Sequence, residues 1–95
     1  MLICIAKLVA EAGQEDFVRH NLHSLIQPSR AEAGCLSYDM HIDLKEPEVF
    51  MFYEVWRDQA AFDMHMQTEH LLNVLNTIKD ALVETEVRYL EKVVL

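Results

Sequence analysis

His65 and His70 stand five residues apart in the segment Ala61-Phe62-Asp63-Met64-His65-Met66-Gln67-Thr68-Glu69-His70. An imidazole suits proton transfer near neutral pH, because its unperturbed pKa is about 6.5. Ala61 and Phe62 lie four and three residues before His65, so on a helix the three share one apolar stripe and His65 points inward. A hydrogen-bonded core histidine fits that position as well as a general base does. Glu54 is the next candidate, the one acid within the apolar run from Val49 to Arg57, on the face of Phe52 and Trp56 by the period of two. A buried acid is costly unless it is paired, here with Lys7, Arg57 or Arg88, or functional. Tyr38, Phe52, Tyr53 and Trp56 are placed to line a pocket, although aromatic residues in strands more often simply pack a core. His20 and His23 lie one helical turn apart, but neither an HExxH motif nor a Cys/His cluster accompanies them, so no metal site is expected.

The elements that must carry these residues follow from the hydrophobic pattern. Leu2 to Val9 is rich in Ile, Leu and Val and stops at Ala12-Gly13, which predicts a strand and a turn. From Gln14 onward Phe17, Val18, Leu22, Leu25 and Ile26 recur at helical spacing with acids in the first turn. Pro28 is expected to kink or end that helix. After Gly34, Cys35 to Asp43 alternates, with Leu36, Tyr38, Met40 and Ile42 on one face and Ser37, Asp39, His41 and Asp43 on the other. The polar link Lys45-Glu46-Pro47-Glu48 leads into a strand from Val49 to Arg57, which suggests a hairpin. Asp58 is placed to cap a helix bearing Ala61, Phe62, His65 and Met66, and a further stripe runs through Leu71, Leu72, Leu75, Ile78 and Leu82. Glu84 to Leu95 reads as the last strand.

The order is βαββαβ, the ferredoxin-like α+β pattern: one antiparallel sheet with both crossover helices on the same face, in a single domain over residues 1–95. That arrangement leaves the second sheet face bare. The third strand is apolar on both sides, with Phe50, Phe52 and Trp56 on one and Val49, Met51, Tyr53 and Val55 on the other. Exposing such side chains forfeits about 1.5–3 kcal/mol each, so a homodimer joined through its sheet faces is expected.

Composition narrows the partners. Just over half of the 95 residues are apolar, which is globular rather than disordered. A formal charge of -8 with scattered Lys and Arg argues against nucleic acid and anionic lipid. No run approaches the roughly 20 apolar residues of a membrane span, and the first ten residues lack a signal-peptide pattern. Cys4 and Cys35 show no disulfide or zinc spacing, which fits buried thiols in a reducing, cytoplasmic setting.

Gly34-Cys35-Leu36-Ser37-Tyr38-Asp39, Tyr53-Glu54-Val55-Trp56 and the segment from Ala61 to His70 resemble the antibiotic biosynthesis monooxygenase superfamily, especially its small quinol monooxygenase-like members, over essentially the whole chain. The resemblance implies a dimeric α+β barrel with a pocket between sheet and helices and, in the oxygenases, no metal, flavin or haem cofactor. It implies oxidation of a small aromatic, quinol-like substrate by O2: a base takes a proton, the anion gives an electron to O2, and the radicals recombine. On that reading His65 or His70 moves the proton, Tyr38 and Glu54 orient the substrate, and Phe52 and Trp56 form the apolar wall. A haem-degrading branch uses an Asn on the first strand and a later Trp; this first strand has no Asn, and no Trp follows Trp56. Two alternatives stay open. One is an isomerase-type degrader of a small phosphorylated signalling metabolite, for which the cations form no obvious cluster. The other is a non-catalytic dimeric module that binds a small apolar ligand.

Overall fold

The computed structural model describes residues 1–95. Four strands, β1 (Leu2–Ala10), β2 (Cys35–Ile42), β3 (Val49–Trp56) and β4 (Leu82–Leu90), form one sheet in the order β2-β3-β1-β4. Every neighbouring pair is antiparallel. Helices α1 (Glu15–His23) and α2 (Ile26–Arg30) join β1 to β2, and α3 (Gln59–His65) and α4 (Glu69–Ile78) join β3 to β4 through a short 3-10 turn, Lys79–Ala81. This is the ferredoxin-like α+β fold that the hydrophobic pattern predicts. No helix is long and apolar enough to cross a membrane.

Local chemistry accounts for the element ends. Gly13 takes a positive φ of 89° between β1 and α1, and Glu15 and Asp16 occupy the first turn of α1, where the helix dipole favours acids. Pro28 neither kinks nor ends the helical segment. It lies in the first turn of α2, where an N–H has no partner within the helix and its loss costs little. The break falls upstream, where the N–H groups of Ser24 and Leu25 bond back three residues, to Asn21 and Leu22.

The second strand departs from strict alternation. A bulge between Cys35 and Ser37 leaves Leu36 unpaired and 55% exposed, off the face of Tyr38, Met40 and Ile42 with which it was expected to align. The last strand also differs: it begins at Leu82 and stops at Leu90, and residues 91–95 carry no regular structure. β4 bonds only to β1, whose pairing ends with Ile3 opposite Leu90, so the residues beyond have almost no strand left to pair with.

Register fixes the faces. Tyr38 and Cys4 both pair with Glu54, and Ala6 with Phe52, so these side chains share the face beneath the helices with Phe50 and Trp56. Phe50, Phe52 and Trp56 are at most 2% exposed and pack with Val18, Leu22 and Leu25 from the first helical segment and with Phe62, Leu71 and Ile78 from the second. The opposite face carries an apolar strip along the two central strands, Ile3, Ile5 and Val9 beside Met51, Tyr53 and Val55, all partly exposed. Polar residues flank it, with Asp39 and His41 on β2 and Glu84, Glu86 and Arg88 on β4. The bare face is therefore largely apolar along its central strands, where Lys7, opposite Met51, is the one charge, and polar at its rims.

Candidate functional site

The site is assembled where three short segments meet above β2 and β3. Asp58 caps α3 by accepting the Ala61 N–H at 2.8 Å, and that bond holds its carboxyl below the usual range. The capped helix turns Ala61, Phe62 and His65 toward the sheet. His65 is 2% exposed, its ring centroid 4.4 Å from that of Trp56 and 5.5 Å from that of Tyr38. The Thr68 hydroxyl donates to the His65 carbonyl at 2.8 Å and closes the turn into α4, which brings His70 back beside His65.

The third segment is the loop after α2. Gly34 lies so close to Ala61 that a Cβ there would collide with the alanine methyl, and the Gly34 carbonyl accepts the Arg57 N–H at 2.8 Å. Only glycine lets the loop approach α3 this closely. The approach carries Glu32 to the histidines: its Oε2 lies 2.8 Å from His65 Nδ1 and 2.8 Å from His70 Nε2. A carboxylate can only accept, so both nitrogens donate. The neutral His65 ring then carries its proton on Nδ1 and leaves Nε2 with a free lone pair.

Nε2 faces Glu54, 3.9 Å from its Oε1, and that oxygen accepts the Trp56 indole N–H at 3.0 Å. Burial pushes the Glu54 carboxyl up to about 7, against the opposing pull of the indole bond and with a further push from the charge of Glu32. Burial also lowers the His65 pKa, which the bond to Glu32 partly restores. The Tyr38 hydroxyl is pushed well above the ordinary tyrosine value by burial and then by Glu54, so it stays protonated. Cys4, raised to about 12 by burial, remains a thiol.

Below His65 lies a cavity of about 200 Å³. Cys4, Ala6 and Phe52 line it from the sheet, Phe62, Leu71 and Leu75 from the helices, and its polar groups include Tyr38, Glu54 and His65. The residues singled out by the sequence therefore separate. Tyr38, Phe52, Glu54 and His65 line the cavity. Trp56 stands behind them, holding Glu54 and packing against His65. His70 lies on the outer side of His65, its side chain 27% exposed. None of the cations considered for Glu54 reaches it: Lys7 pairs with Glu84, Arg57 with Asp58 and Arg88 with Glu86. His20 and His23 are exposed on α1, and no third ligand converges on them.

Glu32 is the residue that pattern reading passed over. It lies in an irregular loop where no periodicity assigns it a face, and the one signal pointing to it is that an inward histidine needs a partner.

Residues 1–76 match the family described as antibiotic biosynthesis monooxygenase. The protein sll1783 of Synechocystis is 38% identical over 71 residues, which cover 75% of this chain and 48% of that protein, so the match spans about half of the relative's length. The crystal structure of PA3566 from Pseudomonas aeruginosa superposes with a TM-score of 0.94 at 36% identity, covering 98% of this chain and 94% of that one. A solved antibiotic biosynthesis monooxygenase superposes with a TM-score of 0.93 at 33% identity, covering 98% and 99%. With the fold, the ordered motifs and the match over residues 1–76 in agreement, the chain belongs to the antibiotic biosynthesis monooxygenase family.

Proposed function

We propose that this protein is a cofactor-independent monooxygenase that oxidises a small aromatic, quinol-like substrate with O2, using His65 as the base. The observation that carries this reading is the lone pair of His65 Nε2, turned toward the cavity by the bond from Nδ1 to Glu32. Family membership supports monooxygenase chemistry in general. The cavity supports the size and polarity of the substrate: at about 200 Å³ it is smaller than drug-sized sites of roughly 300–1,000 Å³, and its lining is mostly apolar.

A substrate hydroxyl about 2.8 Å from both His65 Nε2 and Glu54 Oε1 fits across their 3.9 Å separation. His65 takes the hydroxyl proton, and the imidazolium is stabilised by the carboxylate of Glu32, which acts here as a positioning residue. The electron-rich anion gives one electron to O2. The resulting radicals combine into a carbon-bound peroxide anion, and His65 returns its proton to give the hydroperoxide. The oxygenated carbon then loses its C–H proton, the electron pair of that bond forms C=O, and the O–O bond breaks to release hydroxide, which takes up the proton. One oxygen stays on the substrate and the other leaves as water. Tyr38 and Glu54 orient the ring, and Phe52 closes the apolar wall.

Oxygen uptake with a panel of quinols and hydroxylated aromatics tests this. Turnover in the wild type should fall by roughly 10²–10⁴-fold in His65→Ala, the range of general-base catalysis, and by less in His70→Ala. Unchanged turnover in the folded double variant would sink the assignment. Ligand binding without oxygen uptake would favour a non-catalytic module. The isomerase-type reading gains little support from the cavity, where Lys7 is the one cationic residue of the lining and is already paired with Glu84 at 3.1 Å.

The same proposal includes a homodimer through the bare sheet face. A largely apolar centre, with its one charge Lys7 neutralised by Glu84, and a polar rim fit the layout of an interface. Size-exclusion chromatography with light scattering should give twice the 11.1 kDa chain mass, and a monomer at micromolar concentration would contradict it.

A further inference from the structure

We propose that Glu32, His65 and His70 form a binding site for a divalent transition cation of the zinc class, on the side of His65 away from the cavity. Glu32 Oε2, His65 Nδ1 and His70 Nε2 converge from the α2–β2 loop, the end of α3 and the start of α4, all within 4.8 Å of one another. One oxygen and two imidazole nitrogens are a donor set that borderline cations favour.

The geometry is close to what an ion requires. Metal–ligand bonds of about 2.1 Å in a tetrahedron place the ligand atoms about 3.4 Å apart. Two edges of the present triangle are 2.8 Å and the third is no longer than 4.8 Å. Opening the first two edges by about 0.6 Å brings them to that spacing. No lysine or arginine competes for the carboxylate, because Arg30 holds Asp39 at 2.9 Å and Arg57 holds Asp58 at 3.4 Å. The Glu32 and His70 side chains are 15% and 27% exposed, so a hydrated ion can reach the site and keep a water as a further ligand. The net charge of -8 also favours the approach of cations.

On binding, the proton at His65 passes from Nδ1 to Nε2, and at His70 from Nε2 to Nδ1, each through solvent. With an ion on Nδ1, the cavity-facing nitrogen of His65 is a donor and no longer a base, so the ion inhibits. That consequence rests on the function proposed above; the binding itself does not.

The test uses the full chain stripped with EDTA and dialysed, titrated with Co2+ and read by the visible absorption of the bound ion, then with Zn2+ by calorimetry. One ion per chain is expected. Affinity should fall at least about tenfold in His70→Ala and in Glu32→Gln, since loss of even an outer partner of a metal ligand costs 10–100-fold. Circular dichroism checks that each variant is folded, and if one fails the other decides. Affinity should be unchanged in the His20→Ala/His23→Ala double variant. Absence of a Co2+ band in the wild type, undiminished binding in a folded His70→Ala or Glu32→Gln chain, or binding lost with His20 and His23 would overturn the proposal. Because no substrate enters the titration, its outcome is independent of whether quinols are oxidised.

Discussion

The two faces of the sheet are built from alternate residues of the same strands and carry opposite chemistry. Under the helices, Phe50, Phe52 and Trp56 are sealed from water, and among them sits an acid, Glu54, with one indole as its donor and an imidazole nearby. On the bare face Lys7 is the one charge on the central strands and pairs with Glu84 of β4, Arg88 pairs with Glu86 at the rim, and the centre holds no acid. Burying an ionisable group costs stability, so a sheet selected for packing alone would place Glu54 on the wet face. It sits on the dry face, lining the cavity that also receives His65, which supports the proposal that chemistry belongs to that face and assembly to the other.

The largest effect is expected at Trp56, buried on the dry face. Replacing it with Ala removes the largest fully buried side chain and the donor to Glu54, and should destabilise the protein by about 3–5 kcal/mol in chemical denaturation. A loss below about 1 kcal/mol would mean that this face is not the core.

Glu54 gives the next effect. Its folded pKa of about 7 lies above the ordinary 4.5, so between those values the native state holds a proton that the unfolded chain has lost. Stability from this group is greatest below about pH 4.5 and declines as pH rises to about 7, by an amount on the order of 3 kcal/mol. The lowered pKa of His65 works in the opposite direction, adding stability as pH rises toward its unfolded value. The contribution of Glu54 is therefore isolated by subtracting the stability curve of Glu54→Gln from that of the wild type in metal-free buffer. A flat difference would contradict the burial of the acid.

A smaller loss, about 1–3 kcal/mol, is expected for Gly34→Ala, which forces the Glu32 loop away from Ala61. In this variant oxygen uptake should fall further than thermal stability would suggest. The smallest effect on the protomer belongs to Tyr53→Lys on the bare face, within about 0.5 kcal/mol. Its expected readout is a shift from dimer to monomer in light scattering, and a dimer that persists would move the interface elsewhere.

Much of this was legible in the residues. The strands follow from β-branched and aromatic runs, and the inward aim of His65 follows from Ala61 and Phe62 one turn earlier. Parity shows that Glu54 and Trp56 share a face but not which face, since β3 is apolar on both; the helices decide it. The exposure of Leu36 follows from a bulge, one extra residue that no periodicity announces. The early end of β4 depends on where its partner β1 begins. Glu32 was hidden for a similar reason: its role comes from the close approach of Gly34 to Ala61, a contact across 27 residues of chain that only the fold creates.

For His65 to act as the base, Glu32 must hold the ring proton on Nδ1 and leave Nε2 bare. Two-bond proton–nitrogen correlation NMR of the metal-free protein, at about pH 8 where an ordinary imidazole is neutral, reads that tautomer directly. The predicted spectrum has a protonated Nδ1 and a bare Nε2 at His65, with the preference weakened in Glu32→Gln. A proton on Nε2 in the wild type would rule out His65 as the base.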